Sequence, residues 1–330
     1  MVNNSSNSDK YDRGLVRAHL LNNTVEKSLC WEDIFKWKPS DGLLWIHLDR
    51  TDAYVEQWLI NEKAITPEIV NSLLKDDTRP RFSEVADDQV LLIVKGVNLN
   101  SDRTPEDMVA LRMWTDGTRL ITLGFKPIVA VSTTGKLYEQ SKGPKSIEGL
   151  LLQLIRNLDS KIEPLVYELS NELDTFEDSM NAGNELEENQ LHTLQVQALI
   201  LKRHLAPQRD VLNRLRQTNI AWLKKLRGNW RELYYALTVY VDELSELNDR
   251  VLMLQEAKSQ QLLRQTNQTM YMLSLVAAIF LPLSFVTGLL GINVGGIPGG
   301  DSSLGFVVVC VLVVILGFAQ LVFFKRKKWI

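Results

Sequence analysis

The sequence predicts an α/β body joined by a long helical stalk to two C-terminal membrane-spanning helices, and three observations carry that prediction. Gln265 to Phe324 contains no Lys, Arg or Glu and one Asp, whereas residues 1–264 hold 33 basic and 39 acidic residues, a net of −6 (33 − 39). Asn229 to Leu281 contains neither Gly nor Pro, so a helical pattern can pass unbroken from the polar part into the apolar part. Before about Gln140, short apolar runs are mixed with helical patterns and turn residues, the mark of an α/β layer. With 330 residues and 45% hydrophobic content the chain is long enough for one large domain or two, and general disorder is excluded. A formal charge of −3 leaves no basic footprint for nucleic acid. Two cysteines, Cys30 and Cys310, cannot build a disulfide framework or a multi-Cys zinc site.

The body, residues 1–145, opens on MVNNSSNSDKYDRG, too polar for a secretory signal. Leu43 to Leu48, Val90 to Leu99, Val109 to Trp114, Arg119 to Leu123 and Ile128 to Val131 read as strands. Thr115-Asp116-Gly117 between two of them marks a hairpin turn. Tyr54 to Leu59 and Pro67 to Leu74 read as helices, the second with Thr66 as N-cap and Pro67 at the first helical position. After Gly143-Pro144 the pattern turns helical over 146–228: Ser146 to Met180, Leu186 to Leu205, then a segment after Pro207 that ends near Gly228. Residues 229–290 form the stalk and first span. As one helix they measure roughly 93 Å at 1.5 Å per residue, far more than a bilayer needs. Leu237, Tyr240, Val241, Leu244, Leu247, Val251 and Leu254 make a stripe at three and four spacing for packing against a neighbouring helix.

Met270 to Leu290 and Leu304 to Phe324 are charge-free runs of 21 residues, enough to cross a hydrocarbon core of about 30 Å. Lys325, Arg326, Lys327 and Lys328 follow the second run in the tail 325–330, while the connection 291–303 has no basic residue. By the positive-inside rule both termini face the cytoplasm and the connection faces the periplasm. His19, His47, His192 and His204 show no paired-ligand spacing. There is no Walker A, GxSxG or Rossmann fingerprint, so no enzyme chemistry and no cofactor is expected. His47 reads as an ordinary strand residue and Cys310 as packing inside a span.

The unusual segment is the connection, with five glycines and a proline in Gly291 to Gly300. Asn293 offers a carboxamide oxygen that can hold a cation directly or through its water shell. Repeated around a symmetry axis it would make a ring of acceptors at a pore mouth. The run YMLSLVAAIFLPLSFVTGLLGINVGGIPGG resembles the end of the CorA-type metal-ion transporters, whose hallmark is Gly-Met-Asn after the first of two C-terminal spans. Here the tripeptide is Gly291-Ile292-Asn293, and with Val294-Gly295-Gly296-Ile297-Pro298 it is similar to the zinc-transporting ZntB branch. Thr78-Arg79-Pro80-Arg81, the hairpin VALRMWTDGTRLIT and Ala206-Pro207-Gln208-Arg209-Asp210 are similar too. The resemblance implies a homopentameric funnel with a central pore, first spans lining it and second spans facing lipid in a bacterial inner membrane. It also implies zinc as cargo and coupling to protons, with self, membrane lipid, divalent cations and protons as partners and no nucleic acid.

Counting in sevens back from Gly291 gives Ser284, Ala277, Met270, Leu263, Glu256, Asp249 and Asp242. Sevens drift only about 20° per heptad. Ser284 with Thr287 and Gly288 would meet a hydrated ion, Met270 and Leu273 would form an apolar collar, and Asp242, Asp249 and Glu256 would stack carboxylate rings, with Arg250 and Lys258 near enough to share their charge. Neither span holds Asp, Glu or His for a proton relay. Two other readings stand beside zinc uptake: a Mg²⁺/Co²⁺ channel of the CorA branch, and a membrane-anchored sensor or scaffold.

Overall fold

The computed structural model of the protein describes residues 12–21, 29–76, 78–85, 88–98, 108–125, 127–182, 188–292 and 304–327. The chain divides into two compact units, residues 1–252 and 253–330.

The first unit holds strands β1 (Leu15–Leu20), β2 (Leu44–Asp49), β3 (Arg81–Glu84), β4 (Val90–Gly96), β5 (Val109–Thr115) and β6 (Arg119–Gly124). Its helices are α1 (Trp31–Lys36), α2 (Ala53–Asn61), α3 (Pro67–Leu74), α4 (Val129–Glu139), α5 (Ile147–Asp159), α6 (Ile162–Asn181), α7 (Glu188–Gln217) and α8 (Ala221–Lys224), and α9 (Arg227–Leu290) begins there. The strands form one sheet in the order β1-β2-β6-β5-β4-β3, in which only β2 and β6 run parallel. β2 is buried over five consecutive residues because both faces are covered. Leu44, Ile46 and Leu48 meet Trp31, Val55, Leu59, Ile69 and Leu73 of α1 to α3. On the neighbouring positions Trp45 Nε1 donates to Thr122 Oγ1 at 3.0 Å and His47 Nδ1 lies 2.9 Å from the same oxygen.

The hairpin falls where the turn residues place it. Gly117 takes φ +84°, and Asp116 Oδ1 accepts from the backbone N–H groups of Thr118 and Arg119. Pro67 opens α3 behind an N-cap at Thr66, although the threonine hydroxyl makes no capping bond to the backbone.

Three expectations change. Ile128 to Val131 is not a strand: Ile128 caps α4, whose Ala130, Val131 and Thr134 are buried. A four-residue apolar run, three of them β-branched, has no period of its own, and helix packing decided it. The helix does not stop at Pro207 either. α7 runs through it, because Leu201, Leu205, Gln208, Val211 and Leu212 bury one continuous face, which offsets the bond that proline cannot donate to the carbonyl of Arg203. The stretch Ser146 to Met180 is two helices, α5 and α6, parted at Ser160-Lys161, whereas the break expected near Gly228 falls at Lys225-Leu226 between α8 and α9. β1 and β3, absent from the sequence reading, are the two sheet edges, and their LVRAHL and RFSE carry the polar residues that edges tolerate.

The second unit contains the rest of α9 and the helix α10 (Gly305–Arg326), each long and apolar enough to cross a membrane.

Candidate functional site

Within the second unit α9 has two unlike faces. Leu275, Ile279, Pro282, Leu283 and Val286, spaced by three and four, are partly covered. α10 shows a matching row of partly or fully covered positions at Gly305, Val309, Val313, Leu316, Gly317, Gln320 and Phe324. A Cβ built at Gly317 would stand 3.9 Å from Leu283 Cδ1, so this glycine sits where the two helices meet. Met270, Leu273, Ala277, Ser284, Thr287, Gly288 and Gly291 are all exposed. At 100° per residue they cluster on the side of α9 turned away from the covered row.

The details refine the expected roles. Thr287 Oγ1 donates back to Leu283 O at 3.0 Å and lies 3.2 Å from Ser284 O, so its hydroxyl hydrogen is used and its lone pairs are what it can offer a cation. Gly291 N–H closes the helix on Thr287 O at 2.9 Å, and Ile292, 50% exposed, follows it. Asn293 lies outside the described residues. Pro282 donates nothing to the carbonyl of Ala278, a backbone irregularity within the span. Cys310 is exposed on α10 in the single chain and takes no part in the row that meets α9. Gln320 was not singled out from sequence. It lies in that row, and its buried Oε1 has no partner among the described residues. One carboxamide in a charge-free run was the signal available.

In the first unit α9 buries Leu237, Val241, Leu244, Leu247 and Val251 and exposes Asp242 and Asp249 on the other side. In the second, Glu256 is exposed, and its Oε1 accepts from Gln260 Nε2 at 3.3 Å. The acidic positions are therefore solvent-facing in the single chain. Arg250 does not share their charge. It turns to α6 and grips Asp174 at 2.6 Å and Glu177 at 2.7 Å and 2.9 Å, and these bonds hold its guanidinium well above its ordinary value. Tyr240 contacts Glu163 Oε2 at 3.4 Å, and burial, then that carboxylate, raises its phenol.

The Ala206 to Asp210 motif proves to be a clamp. Fully buried Gln208 accepts from Lys95 N at 2.7 Å and donates to Asp159 Oδ1 at 2.9 Å, joining α7 to β4 and α5. Asp159 Oδ2 is left without a partner among the described residues, and burial pushes this carboxyl up to about 7 despite the bond from Gln208. Among the described residues, no three His, Cys, Asp or Glu gather as a metal site.

An α/β body whose last helix continues into an apolar, two-helix unit is the architecture of a membrane protein with a large soluble domain. Residues 40–326 match the family described as CorA-like Mg2+ transporter protein. The divalent cation transporter CmaX of Pseudomonas aeruginosa is 36% identical over 325 residues, 97% of this chain and 98% of its own. The zinc transport protein ZntB of Vibrio parahaemolyticus is 32% identical over 284 residues, 86% of this chain and 88% of its own. The full-length CmaX structure matches with a TM-score of 0.82 at 34% identity, covering 96% of this chain and 99% of the other. The CorA magnesium transporter of Methanocaldococcus jannaschii shares the fold, with a TM-score of 0.78 at 22% identity over 95% and 98% of the two chains. The chain belongs to the CorA-like Mg2+ transporter family, whose members are membrane ion transporters and not enzymes.

Proposed function

We propose that the protein carries divalent cations across a bacterial inner membrane, zinc inward, as a homopentamer whose first spans line the pore. The observation that carries this reading is the two-faced first span. One row of α9 is taken up by α10, and the small and polar positions Ala277, Ser284, Thr287, Gly288 and Gly291 are left on the face turned away from it. A helix anchored only in lipid has no use for hydroxyls and glycines on its free face, whereas a pore must offer dipoles to a hydrated ion. Zinc is favoured by Ile292 in the tripeptide and by the zinc transport proteins among the relatives. Both termini on the cytoplasmic side follow from the basic tail.

Uptake of radioactive zinc into proteoliposomes, with and without a pH gradient, tests the proposal. Saturable zinc entry supports it, and acceleration by an inward proton gradient adds coupling. Entry of Mg²⁺ or Co²⁺ in preference to zinc, insensitive to pH, transfers the chain to the channel reading. A monomer in mild detergent that moves no cation would make it a tethered sensor or scaffold.

A further inference from the structure

The first unit contains a half-open cavity of about 410 Å³ that no transport role uses. It lies at the carboxyl ends of β2 and β6, the single parallel pair of the sheet. Crevices outside the carboxyl ends of parallel strands are where α/β sheets commonly receive ligands, and 300–1,000 Å³ is roughly the size of a small-molecule pocket.

At its wall stands His47, 3% exposed. The hydrogen bonds around Thr122 are compatible with both imidazole tautomers, and a ligand-binding His47 takes the one that leaves Nε2 bare. In that tautomer the single hydroxyl hydrogen of Thr122 goes to Ile46 O at 3.1 Å, and Oγ1 accepts from Trp45 Nε1 and from His47 Nδ1. Nε2 is then a lone pair with no partner among the described residues. Burial, and after it the charge of Arg17, pushes this imidazole down to about 4, so the lone pair is kept at neutral pH.

The charges that line the cavity do not cancel. Asp49 spends Oδ1 on Thr51 and Asp52 spends Oδ1 on Tyr54 N–H, and neither forms an ion pair among the described residues. Arg17 is compensated: Nη1 meets Glu139 Oε1 at 2.6 Å, and the guanidinium lies against Gly135, where any Cβ would collide with it. Two carboxylates and one bare nitrogen therefore wait for N–H donors beside apolar wall, with Phe125, 53% exposed, also lining the cavity. A metal ion is a poor occupant, because no three-ligand group exists among the described residues. An anion would meet two uncompensated carboxylates.

We propose that this cavity binds a small organic cation, a primary or secondary alkylamine, through Asp49, Asp52 and His47 Nε2. The ammonium hydrogens satisfy the acceptors, and the methylenes lie on the apolar wall.

The test uses the full chain in detergent, with 1,4-diaminobutane as probe and calorimetry and thermal unfolding as readouts. Saturable binding of one diamine per chain is expected, at least tenfold tighter than tetramethylammonium, which has the charge but no N–H. Asp49→Asn/Asp52→Asn should weaken it at least tenfold, since asparagine still caps α2 but removes both charges. Ser132→Phe, at an exposed position lining the cavity, should block binding in a folded protein. Absence of saturable diamine binding, unchanged affinity in these variants, equal binding of tetramethylammonium, or displacement by inorganic phosphate or Mg²⁺ would each overturn the proposal. None of these outcomes depends on whether the chain transports zinc.

Discussion

The two units of this protein solve the problem of polar groups in opposite ways. The first buries them and pairs them: Gln208 bridges β4 and α5, Thr122 serves two rings and a carbonyl, and Arg250 holds two carboxylates. The spans of the second exclude charge altogether, with no Asp, Glu, His, Lys or Arg in 270–290 or 304–324. In the body, burial therefore shows what a side chain is for. In the spans, apolarity says only that lipid is near, and the small and polar exceptions carry the information.

The comparison breaks most sharply at the connection between the spans. Asn293→Ala should abolish or strongly reduce cation uptake while leaving assembly intact, because the carboxamide is the one neutral ligand group in a glycine-rich segment next to the span. Near-normal proteoliposome uptake by the variant would remove the pore-mouth filter. Asn293→Asp should tighten cation capture and blur selectivity, since a carboxylate ring binds by charge.

Next in size is the collar. Met270 is 56% exposed in the single chain, so packing among the described residues does not call for a methionine there. Met270→Ala should raise ion leak through reconstituted protein if the thioether excludes water from a pore. Packing against another copy predicts the contrary pair of results, a less stable oligomer and unchanged leak. Dye-release and oligomer melting on one preparation separate them.

What was legible followed the strength of local chemistry. The central strands, the Asp116-Gly117 turn, the Pro67 start of α3 and both spans could be read because each has a period or a punctuating residue. The edge strands could not, since their side chains are polar by necessity. Arg250 looked like a partner for Asp249 along one helix, and only the packing of α6 against α9 revealed Asp174 and Glu177 as its partners. The register in sevens is sound over two or three heptads. Over the seven heptads from Asp242 to Gly291 an ideal straight helix drifts about 140°, so a common face for all of them needs supercoiling.

A third measurement sharpens the contrast, because among the described residues every strongly shifted acid or imidazole lies in the body. Burial first, then Arg17, pushes His19 and His47 down to about 4, and burial pushes Asp159 up to about 7. Between about pH 4 and 6.5 the unfolded chain holds two imidazole protons that the folded one lacks, and the folded chain holds one carboxyl proton that the unfolded one lacks. The unfolded state is ahead by one proton, so stability rises with pH by about 1.4 kcal/mol per unit there and falls from about 6.5 to 7 as Asp159 alone remains protonated. Asp159→Asn should roughly double the rise, erase the fall and add on the order of 2 kcal/mol at pH 8. Denaturant midpoints followed by tryptophan fluorescence from pH 4.5 to 8 check all three.

The smallest expected effect belongs to the acidic positions of α9. Asp242, Asp249 and Glu256 are exposed, and Arg250 is committed to α6 and does not neutralise them. Facing a pore, three carboxylates from each of five chains would raise the local cation concentration through a summed field, with no single residue acting as a ligand. Neutralising one should therefore cost little flux. The triple Asn/Gln variant should cost more, and the loss should shrink as ionic strength rises, because exposed charges are screened over about 8 Å at physiological salt. A mechanism based on individual ligands predicts the reverse, with one position dominant and the loss unchanged by salt. Wild-type flux for the triple variant at both low and high salt would place these residues on the outer face of the helix and end the vestibule argument.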